Sequence, residues 1–240
     1  GNGSACVIGF QAAVIKSKTR LFTNSGCASM GYGLPAALGA AVALKSPDNI
    51  DKVFGKDAAS SDRLLKGHRV VCIDGDGSLM MNIQELQTIR ENDLNLKLFV
   101  LNNNGYHSIR QTQNNLFHDG LVGVCKGNGV SFPPFDKLAD TFGFKFYRID
   151  SIDSNIDSNI DSNGDAASDT DDVKYSVKDM VRRILDTEGP VLCEVVVSDK
   201  QIFSPKLSSK VLSDGKIVSP PIDDMFPFLT REEYEASKIK

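Results

Sequence analysis

Apolar positions fall in two rhythms along this chain. Short, nearly unbroken runs occupy 69–73 (Arg69-Val70-Val71-Cys72-Ile73), 96–101 (Leu96-Lys97-Leu98-Phe99-Val100-Leu101) and 191–197 (Val191-Leu192-Cys193-Glu194-Val195-Val196-Val197). Runs of this kind predict strands buried on both faces of a sheet. Weaker strand candidates lie at 20–22 and 145–149. Between them the spacing turns helical. Segment 34–44 is rich in Ala and Leu, with Pro35 near its start, where a missing N–H is harmless. Segment 78–92 carries Met81, Leu86 and Ile89, with Ser78 as its expected N-cap. Segments 135–142 and 177–185 are further helices, and Gly189-Pro190 breaks the chain before the last strand. The alternation predicts an α/β fold, a doubly wound and mainly parallel sheet with helices on both faces.

Three stretches stand outside this pattern. Residues 47–66 are polar without a period and read as a surface insert. Residues 150–172 repeat Asp-Ser-Asn-Ile and are almost wholly acidic or polar, so they cannot bury enough apolar surface to offset their ordering entropy. Their Asp/Asn spacing lacks the glycine and closing glutamate of a calcium-binding EF-hand, so a solvated disordered loop is expected. Residues 201–240 contain Pro205, Pro220, Pro221 and Pro227 among several aromatics and read as an arm on a surface rather than as a sheet element. The expected organisation is a domain over 1–200 with two inserts, followed by the arm.

Composition narrows the class. The 240 residues are long enough for one large α/β domain, and 41% hydrophobic with 24% charged is ordinary for a globular protein. A formal net charge of −4 gives no reason to expect nucleic acid or an anionic membrane as partner. No apolar run reaches the length of a membrane-spanning helix, and Gly1-Asn2-Gly3-Ser4 does not begin a signal peptide. Five cysteines (Cys6, Cys27, Cys72, Cys125, Cys193) lie far apart with no CxxC pair, which favours reduced thiols in the cytoplasm over a disulfide framework or a cysteine–metal site.

The chemistry is concentrated between 73 and 109. One buried strand ends in Asp74-Gly75-Asp76-Gly77-Ser78, and the next in Asn102-Asn103-Asn104-Gly105. Both polar clusters therefore fall at carboxyl ends of strands, where open α/β sheets bind ligands. Glycines let backbone amides approach a phosphate closely. Asp76 offers an anionic oxygen and Asn103 a neutral carbonyl oxygen, a set suited to Mg²⁺ bridging protein to a diphosphate.

Gly75-Asp76-Gly77, residues 78–101 and then Asn102-Asn103 resemble the motif that binds thiamine diphosphate (ThDP). The flanks extend the resemblance. Ser25-Gly26-Cys27-Ala28-Ser29-Met30-Gly31-Tyr32-Gly33-Leu34-Pro35-Ala36-Ala37 is similar to the segment before that motif in acetohydroxyacid (acetolactate) synthase-like enzymes. Asn82-Ile83-Gln84-Glu85-Leu86 is similar to their following helix. Gly1-Asn2-Gly3-Ser4 resembles the loop that opens their diphosphate-binding domain. The resemblance covers most of 1–149 and 176–206, and neither insert. It implies that Asp76, Asn103 and the carbonyl of Gly105 ligate Mg²⁺. By the same resemblance Gly3, Ser4, Gly75, Gly77 and Ser78 hold the diphosphate, with Tyr106 beside the cofactor. Met30 would lie under the bent cofactor, with Ala28 near its pyrimidine. Decarboxylation or carboligation of a 2-keto acid is the implied activity.

The resemblance also implies what this sequence lacks. In the family a glutamate from a separate pyrimidine-binding domain activates the cofactor across a subunit interface, and nothing here resembles that domain. The chain is thus expected to be part of a longer protein acting as a homo-oligomer, a dimer or tetramer. The FAD-holding domain and the substrate-pocket tryptophan of true acetohydroxyacid synthases have no counterpart. Gly105-Tyr106-His107-Ser108-Ile109-Arg110 follows the motif instead, leaving the substrate open. Two rivals stand beside this reading: a ThDP-dependent C–C hydrolase or lyase, and a non-catalytic assembly module retaining the fold.

Several residues admit plainer roles. Asp76 is able to cap the next helix, Asn103-Asn104-Gly105 to make a turn, and Met30 to pack a core. His107 is placed either to touch substrate or to sit on a helix surface, and Arg110 either to pair with a substrate carboxylate or to form a surface salt bridge. His68 and His118 read as surface residues. Segment 201–206 is expected to cover the active site or to pack between subunits.

Overall fold

A computed structural model describes residues 3–16, 19–24, 26–46, 69–117, 120–150 and 176–238. Four of the five strand candidates form one sheet: β1 (Val70–Gly75), β2 (Leu96–Asn102), β3 (Lys145–Ile149) and β4 (Val191–Val196), in the order β1-β2-β4-β3 with every neighbouring pair parallel. Gly75 stands opposite Leu101, and Asn102 opposite Val196, so the carboxyl ends of β1, β2 and β4 reach the same edge.

Among the described residues the helices are α1 (Ser4–Ala12), α2 (Gly33–Ala43), α3 (Asp76–Leu79), α4 (Glu85–Glu91), α5 (His107–Leu116), α6 (Phe135–Thr141), α7 (Val177–Asp186) and α8 (Arg231–Ser237). They cover both sheet faces, as the apolar runs demand. On one face Leu34 of α2, Leu86 and Ile89 of α4, and Phe135 of α6 share a core with Leu96, Leu98 and Val100 of β2. On the other, Met180 and Ile184 of α7 pack with Phe99, Val191 and Cys193.

The second face also holds a fully buried lysine. The Nζ of Lys97 donates to the carbonyls of Thr187 and Gly189, just past the end of α7, where a helix favours positive charge. Burial pulls its pKa down to about 8. Replacing it as Lys97→Met strands both carbonyls and should cost about 1–3 kcal/mol at neutral pH. Because the folded-state pKa lies below the unfolded value, the unfolded chain binds more protons between about pH 8 and 10.5. The native lysine therefore gains stability as pH rises through that window. Denaturant unfolding of both proteins should show the deficit widening there; a constant deficit contradicts this account.

Four expectations need correction. Residues 20–22 form no strand: Leu21 and Phe22 are 42% and 49% exposed, and neither is paired with any strand among the described residues. The expected helix over 78–92 is broken into α3, a 3₁₀ turn (Met80–Asn82) and α4, and Met81 is 48% exposed rather than in the core. The break has a cause in side chains that bond backbone elsewhere. Ser78 Oγ accepts the amide of Gly31 at 2.9 Å, and Asn82 Nδ2 donates to the carbonyl of Gly31 at 2.6 Å. Ser78 is thus inside the helix, whose N-cap position is Gly75. Last, the arm does contain sheet: β5 (Lys210–Val211) pairs antiparallel with β6 (Ile217–Val218), and α8 follows. Residues 47–66 and 151–172 lie outside the described residues.

Candidate functional site

Parallel pairing of β1 with β2 sets their two exit loops side by side. Asp76, the first residue of α3, turns its carboxylate into the gap. Its Oδ1 accepts the amide of Gly77 at 2.7 Å, while Oδ2 accepts the amides of Asn103 at 3.1 Å and Gly105 at 3.0 Å. None of the three caps the helix: the first goes to the next residue's amide, and the other two tie the loops together. Burial pushes the Asp76 pKa up to about 6, against the opposing pull of these amides. Asn103 is 5% exposed; its Nδ2 donates to Ser4 Oγ at 3.3 Å, and its Oδ1 is buried without a hydrogen-bond partner. A carboxylate and an unsatisfied amide oxygen therefore share one small space, a combination that calls for a cation.

Two glycines shape the approach. A side chain on Gly77 would run into the ring of Tyr106, with Met30 Cε at 3.4 Å behind it. Gly105 has φ +146, and a Cβ there would collide with the carbonyl of Val124 and lie 2.8 Å from Arg110 Nη2. Ala28 and Asn104 are held at φ 51 and 58, sparsely populated for residues with a side chain.

These residues line one pocket. Gly3, Ser4, Met30, Gly75, Asp76, Gly77, Ser78, Asn103, Gly105 and Tyr106, all singled out from the sequence, meet there, together with His107. Ala28 is not in its lining. Ala5, Leu101, Ser108 and Ile109 complete the lining and were not singled out. Helix α1 explains Ala5: the N-terminal loop read as Gly1-Asn2-Gly3-Ser4 becomes a helix at Ser4, so its first turn lines the pocket. The start of α5 does the same with His107, Ser108 and Ile109. Two helix N-termini with free amides suit an anion.

The candidate substrate contacts are placed otherwise. His107 is only 7% exposed, so it is not a helix-surface residue. Its Nε2 donates to the carbonyl of Gln201, which leaves Nδ1 as the acceptor nitrogen, buried and without a partner. Burial lowers its pKa, keeping the ring neutral at physiological pH. Arg110 is also 7% exposed and turns to backbone carbonyls rather than to the pocket, with Asp199 Oδ2 at 3.8 Å. Arg110 thus does form an ion pair, with the exposed Asp199, although its own side chain is buried. His68 and His118 lie outside the described residues. The five cysteines are free thiols, and no helix among the described residues is long and apolar enough to cross a membrane.

Comparison with known proteins agrees with this geometry. The family model described as "Thiamine pyrophosphate enzyme, C-terminal TPP binding domain" matches residues 1–195. The large subunit of acetolactate synthase from Cyanidium caldarium is 27% identical over 78% of this chain and 24% of its own length. The mitochondrial acetolactate synthase of Schizosaccharomyces pombe is 31% identical over 77% of this chain and 21% of its own. The isozyme 1 large subunit of Escherichia coli is 33% identical over 56% and 20%. The matched part thus spans between a fifth and a quarter of those relatives.

Proposed function

We propose, from the premise that the chain belongs to the thiamine pyrophosphate enzymes and is their C-terminal cofactor-binding domain, that it holds ThDP through Mg²⁺ and supplies half of a site that decarboxylates or joins 2-keto acids. The observation that carries the metal is the Asn103 Oδ1, buried and partnerless beside the Asp76 carboxylate. Among the described residues no three His, Cys, Asp or Glu side chains gather. A cation here would take the Asp76 carboxylate, the Asn103 amide oxygen and the Gly105 carbonyl. Diphosphate oxygens and water would complete its shell, as Mg²⁺ prefers.

The other residues fit the same ligand. The starts of α1 and α5 line the pocket and would offer amides to the diphosphate, and Gly77 would leave room for it. Ser78 has its oxygen occupied by the Gly31 amide, which leaves its hydroxyl proton free to donate to a phosphate. Met30 lines the apolar side, where it would support the bend between the cofactor's two rings. When bound, ThDP supplies a carbanion that adds to a carbonyl and then an electron sink. His107 also lines the pocket, with its ring neutral.

The pyrimidine-activating glutamate would come from a pyrimidine-binding domain of the same or another chain, in a homo-oligomer. The reduced cysteines favour a cytosol-like compartment, although related acetolactate synthases are named mitochondrial or chloroplastic. Full-length protein carrying this chain, given saturating ThDP and Mg²⁺ and a panel of 2-keto acids, should release CO₂ from at least one. No turnover of any by a cofactor-saturated protein contradicts the proposed activity and favours the assembly-module rival.

A further inference from the structure

Helix α5 buries a polar face. His107, Arg110 and Gln111 lie at i, i+3 and i+4, and all three are inside. Across from them runs the segment that leaves β4. Arg110 Nη1 donates to the carbonyl of Asp199 at 3.4 Å, His107 Nε2 to that of Gln201, and the amide of Phe203 to Gln111 Oε1 at 3.3 Å. The contacts fall on residues 199, 201 and 203, the first of them in a turn that the Gln201 amide closes on the Ser198 carbonyl. Phe203, fully buried, meets the His107 ring edge-on with centroids 5.0 Å apart.

Arg110 also faces the other way. Its Nη2 donates to the carbonyls of Asn103 at 3.3 Å and Asn104 at 3.0 Å. That loop has a left-handed Asn104 and a positive φ at Gly105, so its carbonyls have left the β2 ladder and need another donor. A planar guanidinium serves two sites at once, which a lysine ammonium cannot do with the same geometry.

We propose that Arg110 is a positioning residue that ties loop 103–105 to segment 199–203, so that binding of Mg²⁺–ThDP and docking of that segment favour one another. The proposal rests on the cation site described above. Arg110 acts through the Asn103 and Asn104 carbonyls, fixing the backbone that aims the Asn103 amide oxygen. Thermodynamic linkage makes the coupling reciprocal: the factor by which docking tightens the cation equals the factor by which the cation tightens docking.

The test uses full-length protein and two readouts, the apparent Kd for Mg²⁺ at saturating ThDP and hydrogen exchange across 198–206, which includes the Phe203 amide. In wild type, Mg²⁺–ThDP should slow exchange in this segment by about tenfold or more. Arg110→Met and Arg110→Lys should each raise the Mg²⁺ Kd by about 10- to 100-fold, the range for groups that orient a metal ligand, and should erase the ligand-dependent slowing. Phe203→Ala, which leaves the cation loop untouched, should weaken Mg²⁺ several-fold. Should Arg110→Met not fold, Arg110→Lys and Phe203→Ala carry the same prediction.

Wild-type Mg²⁺ affinity in the Arg110 variants overturns the proposal, as does ligand-dependent slowing that survives in them at full size. Asp76→Ala separates the two levels. If wild type binds ThDP without regard to Mg²⁺, or Asp76→Ala binds as wild type does, the cation reading falls and takes the proposal with it. If Asp76→Ala fails to bind while the Arg110 variants behave as wild type, only the coupling is wrong.

Discussion

Asp76→Ala in the full-length protein is expected to lower the affinity for ThDP in the presence of Mg²⁺ by at least about 100-fold, equivalent to about 2.7 kcal/mol. Among the described residues Asp76 is the only carboxylate in the pocket lining, and it sits where the two loops meet. The fold should survive. Three amides lose an acceptor, but the desolvation that pushes the Asp76 pKa up to about 6 disappears with the carboxylate. These opposing effects leave a modest net change in stability. Calorimetric titration of both proteins checks this, with circular dichroism to verify folding. Near-wild-type affinity in the variant contradicts the assigned cation site.

Gly77→Ala is expected to be nearly as damaging by a different route. The added methyl overlaps the Tyr106 ring, which is itself near Phe132 with centroids 6.4 Å apart. Something must move, and overpacking of this kind costs about 1–3 kcal/mol. Displacing Tyr106 or α3 disturbs both the diphosphate path and the start of α5, so ThDP affinity should fall about 10- to 100-fold. Tyr106→Ala frees the space. In a double-mutant cycle Gly77→Ala should therefore cost far less on the Tyr106→Ala background than alone. Equal costs on both backgrounds contradict the steric account.

Much of the fold was legible because β2 and β4, apart from Lys97, Asn102 and Glu194, are apolar on both sides of the strand, which a sheet covered on both faces explains. The candidate site stands out in the sequence because its residues sit at strand ends, and strand ends are marked by the change from Val-Leu-Ile runs to Asp, Gly and Asn. The rest was hidden for definable reasons. Helix α1 has no side-chain cap and no buried residue, so neither a start signal nor a period betrays it. Helix α5 buries His107, Arg110 and Gln111, so its inner face reads as solvent-facing. The 3₁₀ break after α3 depends on Ser78 and Asn82 reaching Gly31, more than forty residues away in sequence. Helix α8 was readable: Thr230 and Glu233 form a capping box at the spacing that signature requires.

The central claim is that a divalent cation joins this domain to a diphosphate. Its most direct test is titration of the full-length wild-type protein with ThDP, once with Mg²⁺ and once with the metal chelated. The account predicts tight binding with Mg²⁺ and a loss of at least about tenfold without it, since Asp76 and a diphosphate repel one another unless a cation lies between them. Equal affinity under both conditions, or no binding by a folded protein in Mg²⁺, would contradict it.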